Sequence, residues 1–153
     1  MEWQKNNPDN YKRSHRRYHR QRNRDLAGYV YNVLQYGARK RQITYCTRGE
    51  FITWWTDTPD VCEYCGLAID EIKQAWPAIK GTAYRLSVDR KDNTLGYEVG
   101  NMVKACYVCN LMRHRFLSYE EAKQFLGPMV RSVIRYRVSK DHDHPVTINQ
   151  LAG

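Results

Sequence analysis

No run of apolar residues in this 153-residue chain approaches the roughly 18 that a membrane span requires, so no membrane-spanning helix is expected in it. The opening stretch MEWQKNNPDNYKR lacks the apolar segment of a secretory signal, so a soluble, intracellular protein of the cytoplasm is expected, with no membrane partner. Apolar residues make up 42% of the chain, enough for a core but not a generous one, and small cores of this kind often need a staple. No internal repeat is present. Acidic residues are scarce in one region: between Lys12 and Arg41 a single acid, Asp25, faces ten Lys and Arg.

What is there begins with that region. Lys12, Arg13, Arg16, Arg17, Arg20, Arg22, Arg24, Arg39, Lys40 and Arg41 give it a net charge of +9, the same as the whole chain, whose remainder is neutral. A block of this kind suits a polyanion, because each phosphate it neutralises releases a condensed counterion. Arg outnumbers Lys in it, and the planar guanidinium matches phosphate geometry. The expected partner is double-stranded DNA, gripped through Arg13, Arg16, Arg17, Arg20, Arg24, Arg39, Lys40 and Arg41; the alternative is a solvated basic arm with no partner. His15 and His19 belong to the same arm.

From Leu26 the apolar residues Leu26, Tyr29, Val30, Val33, Leu34 and Ala38 recur at helical spacing, so one face of a helix is buried. Ile43 to Cys46 reads as a short extended piece. Thr47 and Glu50 form a capping box ahead of Phe51, Ile52, Trp54 and Trp55, and this helix ends before Pro59. Residues 69–76 read as a short helix stopped by Pro77. Tyr84 to Asp89 reads as a strand, residues 92–96 as a loop, and Asn101 to Ala105 as a returning strand. A helix is expected from Tyr107 to about Arg115, and another is capped by Ser118 and Glu121 and interrupted at Gly127-Pro128. Residues 1–42 are thus expected to be a basic helical arm, 43–138 the folded domain, and 139–153, with His142 and His144, a flexible tail.

Five cysteines are present. Cys46 reads as a small buried hydrophobe. The other four form two Cys-x-x-Cys pairs, Cys62/Cys65 and Cys106/Cys109, which in an intracellular protein points to zinc rather than disulfides. Thiolates suit zinc, and two such knuckles supply the four ligands of a closed tetrahedral site. A closed site has no open coordination position, so its role is structural and any catalytic metal must lie elsewhere.

Between and after the knuckles runs Ser-Val-Asp89-Arg90-Lys-Asp92-Asn, then Gly96-Tyr97, Asn101, and finally Cys106-Tyr-Val-Cys109-Asn110-Leu-Met-Arg113. From Cys62 to Arg113, about a third of the chain, this resembles the HNH endonucleases whose ββα-metal motif is held by a four-cysteine zinc. The resemblance implies an α+β fold, a ββα-metal core flanked by helices, and hydrolysis of DNA phosphodiester bonds. It implies that Asp89 and Asn110 bind a catalytic Mg²⁺ or Mn²⁺, that Asn101 ties the loop through backbone hydrogen bonds, and that Arg113, where a Lys usually stands, contacts phosphate. A hard divalent ion wants oxygen ligands, and a carboxylate plus an amide oxygen leave positions for water and phosphate. A phage or homing-type nuclease, or a relative of the endonuclease VII-like nucleases, would fit; oligomeric state is open, a homodimer being one option.

One departure stands out. The family's general base is the His after the aspartate, and here that residue is Arg90, which cannot take a proton at neutral pH. Three readings stay open. Asp92 or His114 supplies the base; or the metal lowers the pKa of water enough without one while Arg90 stabilises charge on the phosphate; or the site is inactive. The Asp-Arg pair also resembles the start of the Asp-Arg-Gly-His motif of non-specific ββα-metal nucleases, whose base stands where Asp92 is. The rival reading overall is a non-catalytic, zinc-stabilised DNA-binding protein.

Overall fold

A computed structural model of the chain describes residues 26–76 and 85–143. Most of the arm, with Arg13, Arg16, Arg17, Arg20 and Arg24, lies outside the described residues, as do Tyr84 and His144. The described residues form two compact units divided between Asp57 and Thr58. The helix after Thr47 groups with the preceding helix, because the two share an aromatic core.

In the first unit, α1 (Leu26–Lys40) buries Gly28, Val30, Tyr31, Leu34 and Ala38. Val30, Leu34 and Ala38 are buried as expected, but Tyr31 is inside and Val33 outside. The reason is a tertiary one. The Tyr31 ring packs 5.4 Å from Phe51, and its hydroxyl donates to the Cys46 carbonyl at 3.2 Å. Helix α2 (Arg48–Asp57) presents Phe51 and Trp55, one turn apart, to this core, while Trp54 is half-buried. Its start is the capping box expected: the Thr47 amide donates to Glu50 Oε2 at 2.8 Å and the Glu50 amide donates to Thr47 Oγ1 at 3.3 Å. Cys46 is half-buried, and burial pushes its thiol up.

The second unit opens on the first knuckle. Val61 bridges to Ala68, the Cys62 amide donates to the Leu67 carbonyl, and Gly66 turns the chain at a φ of 70°, a conformation that favours glycine. Short helix α3 (Ile69–Ala75) follows, with the Glu71 carboxylate accepting from the Ala68 amide. Strands β1 (Ser87–Arg90) and β2 (Met102–Ala105) pair antiparallel, with Asp89 opposite Val103 and Arg90 opposite Met102. The chain then enters α4 (Tyr107–Arg113), capped by the Cys106 sulfur.

A last helical run consists of α5 (Tyr119–Glu121), a π turn (Ala122–Leu126) and α6 (Gly127–Asp143). Ser118 and Glu121 form its capping box. Two expectations change here. The helix extends to Asp143, into the segment from residue 139 where a flexible tail is expected. It also runs through Gly127-Pro128 instead of breaking there, because the wide π turn just before absorbs the proline's missing donor. Gly127 has another task. A Cβ on it would lie 2.1 Å from the Tyr64 carbonyl oxygen, so only glycine lets α6 press against the knuckle. Gly127→Ala should force two backbones apart and cost about 1–3 kcal/mol, the usual range for overpacking, despite alanine's better helix propensity. A thermal melt no lower than that of the parent protein would refute this.

Leu126 of the π turn and Val130 and Ile134 of α6 are buried; α6 packs on α3, while the π turn packs on α4. Helix α4 in turn packs on β1, the helical backing that a two-stranded ribbon needs.

Candidate active site

The Sγ atoms of Cys62, Cys65, Cys106 and Cys109 lie within 4.8 Å of one another, and all four residues are fully buried. In a tetrahedral site with zinc–sulfur bonds of about 2.3 Å the sulfurs stand about 3.8 Å apart, inside that limit. Hydrogen bonds from Cys106, Cys109 and Cys65 hold the Cys62 thiol far down, while Cys109 is pushed far up, first by its bond with Cys106 and then by those with Cys62 and Cys65. Four sulfurs in a dry cluster cannot all ionise unless a cation sits among them. The cluster is compatible with one structural zinc. The Cys109 amide donates to Cys106 Sγ at 3.4 Å, so the second knuckle and the start of α4 are one structure.

This arrangement places Asn110, the residue after the last cysteine, on the α4 face that meets β1. Its amide nitrogen donates to Ser87 Oγ at 2.9 Å, and Ser87 Oγ donates on to the Ala105 carbonyl. Ser87 and Asp89 alternate onto the same face of β1. Asn110 and Arg113, three apart, share one side of α4. The strand–helix seam therefore pairs Ser87 with Asn110 and Asp89 with Arg113.

Asp89 is held by three donors. The Tyr64 hydroxyl and Arg113 Nη1 donate to Oδ2 at 2.7 and 2.8 Å, and the Arg90 amide donates to Oδ1 at 2.8 Å. A carboxylate offers about four lone-pair sites, so Oδ2 is fully used and Oδ1 keeps one. A divalent cation could be held through that position together with the Asn110 amide oxygen, since it is the amide nitrogen that bonds Ser87. The donor set, one carboxylate and one amide oxygen, fits a hard ion.

Arg113 differs from its expectation. In place of the phosphate contact that the resemblance implies, it is 1% exposed and donates to Asp89, to the Arg90 carbonyl and to the Lys91 carbonyl, at 2.7–2.8 Å. A guanidinium so enclosed cannot reach a backbone phosphate; it positions β1 and its carboxylate. Tyr64, between the first two cysteines, is a residue that spacing alone does not single out. Burial and then the Asp89 charge push its phenol well above the ordinary range, so it acts as a donor. The available signal was an aromatic ring in a knuckle whose ends are both pinned by sulfur.

The loop after β1 is stitched by Asn101. Its Oδ1 accepts from the Asp92 amide at 2.9 Å, and its Nδ2 donates to the carbonyls of Asp92 and Gly96 at 2.9 and 2.8 Å. Asp92 in turn accepts from the Thr94 hydroxyl and amide, which hold its carboxyl below the usual range. The Arg90 guanidinium donates to the Leu95 carbonyl at 2.6 Å and lies 5.2 Å from the Tyr97 ring centre, so it braces the loop. His114 closes α4 with a φ of 43°, its ring stacked on Phe116. In the first unit Arg39, Lys40 and Arg41 are exposed at the end of α1, with Arg39 Nε donating to the Tyr45 hydroxyl. Among the described residues no helix is long and apolar enough to cross a membrane.

No protein-family model and no curated protein matches the chain. In three dimensions it is similar to the rare-cutting HNH restriction endonuclease PacI, at 24% identity and a TM-score of 0.62, over 72% of this chain and 80% of that one. With helices packed around a small antiparallel pair of strands and a four-cysteine cluster, this chain has the fold of an HNH endonuclease.

Proposed function

We propose that the chain is a metal-dependent endonuclease that hydrolyses phosphodiester bonds of double-stranded DNA. The observation that carries this reading is the strand–helix seam, where Asp89 and Asn110 come from opposite walls and the four-cysteine cluster pins the helix that bears Asn110. The fold likeness supports it, since PacI is a restriction endonuclease. In this reading zinc occupies the four cysteines, and Mg²⁺ or Mn²⁺ is held by Asp89 and Asn110. When bound, the hard cation lowers the pKa of a water and offsets charge on the phosphate. Tyr64 and Arg113 keep the Asp89 carboxylate turned toward the seam. Arg90, committed to Leu95 and Tyr97, holds the loop rather than the phosphate. Asp92, already held low by Thr94, is a poor proton acceptor, because an effective base is poised near the working pH. The basic arm with Arg13, Arg16, Arg17, Arg20 and Arg24, and Arg39, Lys40 and Arg41 after it, supplies sequence-independent grip on the backbone.

The engagement of Arg90 with the loop also favours a second reading, a DNA-binding protein without catalysis, because no base stands at that position. Supercoiled plasmid separates the two. The endonuclease reading expects nicking with Mg²⁺ or Mn²⁺, abolished by a chelator too weak to strip the cysteine cluster. Retarded but uncut plasmid under all metals would favour the binding protein.

A further inference from the structure

Phe116 is 83% exposed, more than any other large apolar side chain among the described residues. A single exposed phenylalanine is ordinary; its mounting here is not. The turn that carries it passes through His114 at φ 43° and ψ −127°, a conformation that residues with a Cβ adopt only at a cost of roughly 1–3 kcal/mol. Main-chain hydrogen bonds fix the turn: the His114 amide donates to the Asn110 carbonyl, and the amides of Phe116 and Leu117 both donate to the Arg113 carbonyl, at 3.1–3.3 Å. The Asn93 side chain reaches the His114 carbonyl from the loop after β1. The His114 ring lies 5.4 Å from that of Phe116 at 29°, leaving the phenyl ring backed by one aromatic and open to solvent. The ring is therefore held out on a rigid support.

Resting on the endonuclease reading, we propose that Phe116, backed by His114, is a stacking platform for a nucleobase displaced from the duplex beside the cleaved phosphate. Three residues span at most about 11 Å, so Phe116 stays within about three base steps, at roughly 3.4 Å each, of the position of Arg113. Arg113 links the two sites: its carbonyl supports the turn bearing Phe116 and its guanidinium holds Asp89. A rigid aromatic ring gains stacking energy with little ordering cost, and any base offers it a π-face. Arg115, between His114 and Phe116 in sequence and exposed, adds the charge that suits a nearby phosphate.

The test compares two duplexes of about 20 base pairs, one fully paired and one carrying a single bulged base, since a base already unpaired costs least to displace. Binding is measured by anisotropy in Ca²⁺, and zinc content is checked for each protein. The parent protein and Phe116→Trp are expected to favour the bulged duplex by about five- to a hundredfold. Phe116→Ala and Phe116→Leu are expected to lose that preference while keeping the same salt dependence, because phosphate contacts are untouched. A Phe116→Ala protein that keeps the preference would overturn the proposal alone. So would a preference lost equally in Phe116→Trp, or a Phe116→Ala protein whose only change is its sedimentation, which would mark a protein interface. A parent protein that binds neither duplex would overturn the endonuclease reading as well.

Discussion

Removing zinc from the four-cysteine cluster is expected to unfold the unit from Thr58 onward rather than merely to silence it. Its sheet has two strands of four residues each, too little to stand alone. Two of the cysteines sit in the knuckle and two begin α4, so one ion would join segments more than 40 residues apart in sequence. Structural zinc contributes an apparent folding energy of about 10–16 kcal/mol, as much as or more than the roughly 5–15 kcal/mol by which most domains are stable at all. Circular dichroism and zinc release should therefore change together during a titration with a strong chelator, and Cys106→Ser should behave like the stripped protein. A cooperative melt at the parent temperature after zinc is gone would sink the idea.

Asp89→Ala should do two kinds of damage. Nicking should fall by at least about a hundredfold, as expected for loss of a metal-binding group. The protein should also lose about 3–5 kcal/mol, because the buried Arg113 guanidinium would be left without its carboxylate. Asp89→Asn separates these effects. It keeps an acceptor for Tyr64 and Arg113 near its place, so the melting temperature should fall less while cleavage stays lost. Asp89→Ala combined with Arg113→Met should be more stable than Asp89→Ala alone, since the second change removes the stranded charge. Asp89→Asn protein that cuts at the parent rate would remove Asp89 from the site, and a double variant no more stable than the single would show that the pair matters little.

The parts of this molecule that could be read from its sequence are those governed by spacing along a few residues. The two Cys-x-x-Cys pairs, the capping boxes at Thr47 and Ser118, and the strand pair around Asp89 and Val103 all belong to this class. What escaped depends on distant partners. Arg113 looks like any surface cation until β1 places a carboxylate and two carbonyls around it. Gly127-Pro128 reads as an interruption on local grounds, whereas the observed glycine answers to the Tyr64 carbonyl more than 60 positions earlier. On α1 the periodicity gives Val30, Leu34 and Ala38 correctly, but Phe51, not helical spacing, decides that Tyr31 turns inward while Val33 stays outside. In the candidate site, the family pattern pointed to Asp89 and Asn110, but Tyr64 fell outside the pattern and became visible only through its hydrogen bond.

Tyr64 stands between two cysteines of the cluster and touches the carboxylate on β1. The two-residue gap in Cys62-Glu-Tyr-Cys65 is thus fixed twice, once by where sulfur must sit and again by where the phenol must end. A change of gap length that another knuckle could absorb would here rotate the ring off Asp89 even if all four sulfurs still met. The same short loop serves as anchor and as alignment pin, which narrows the room for insertion or deletion in it to almost nothing.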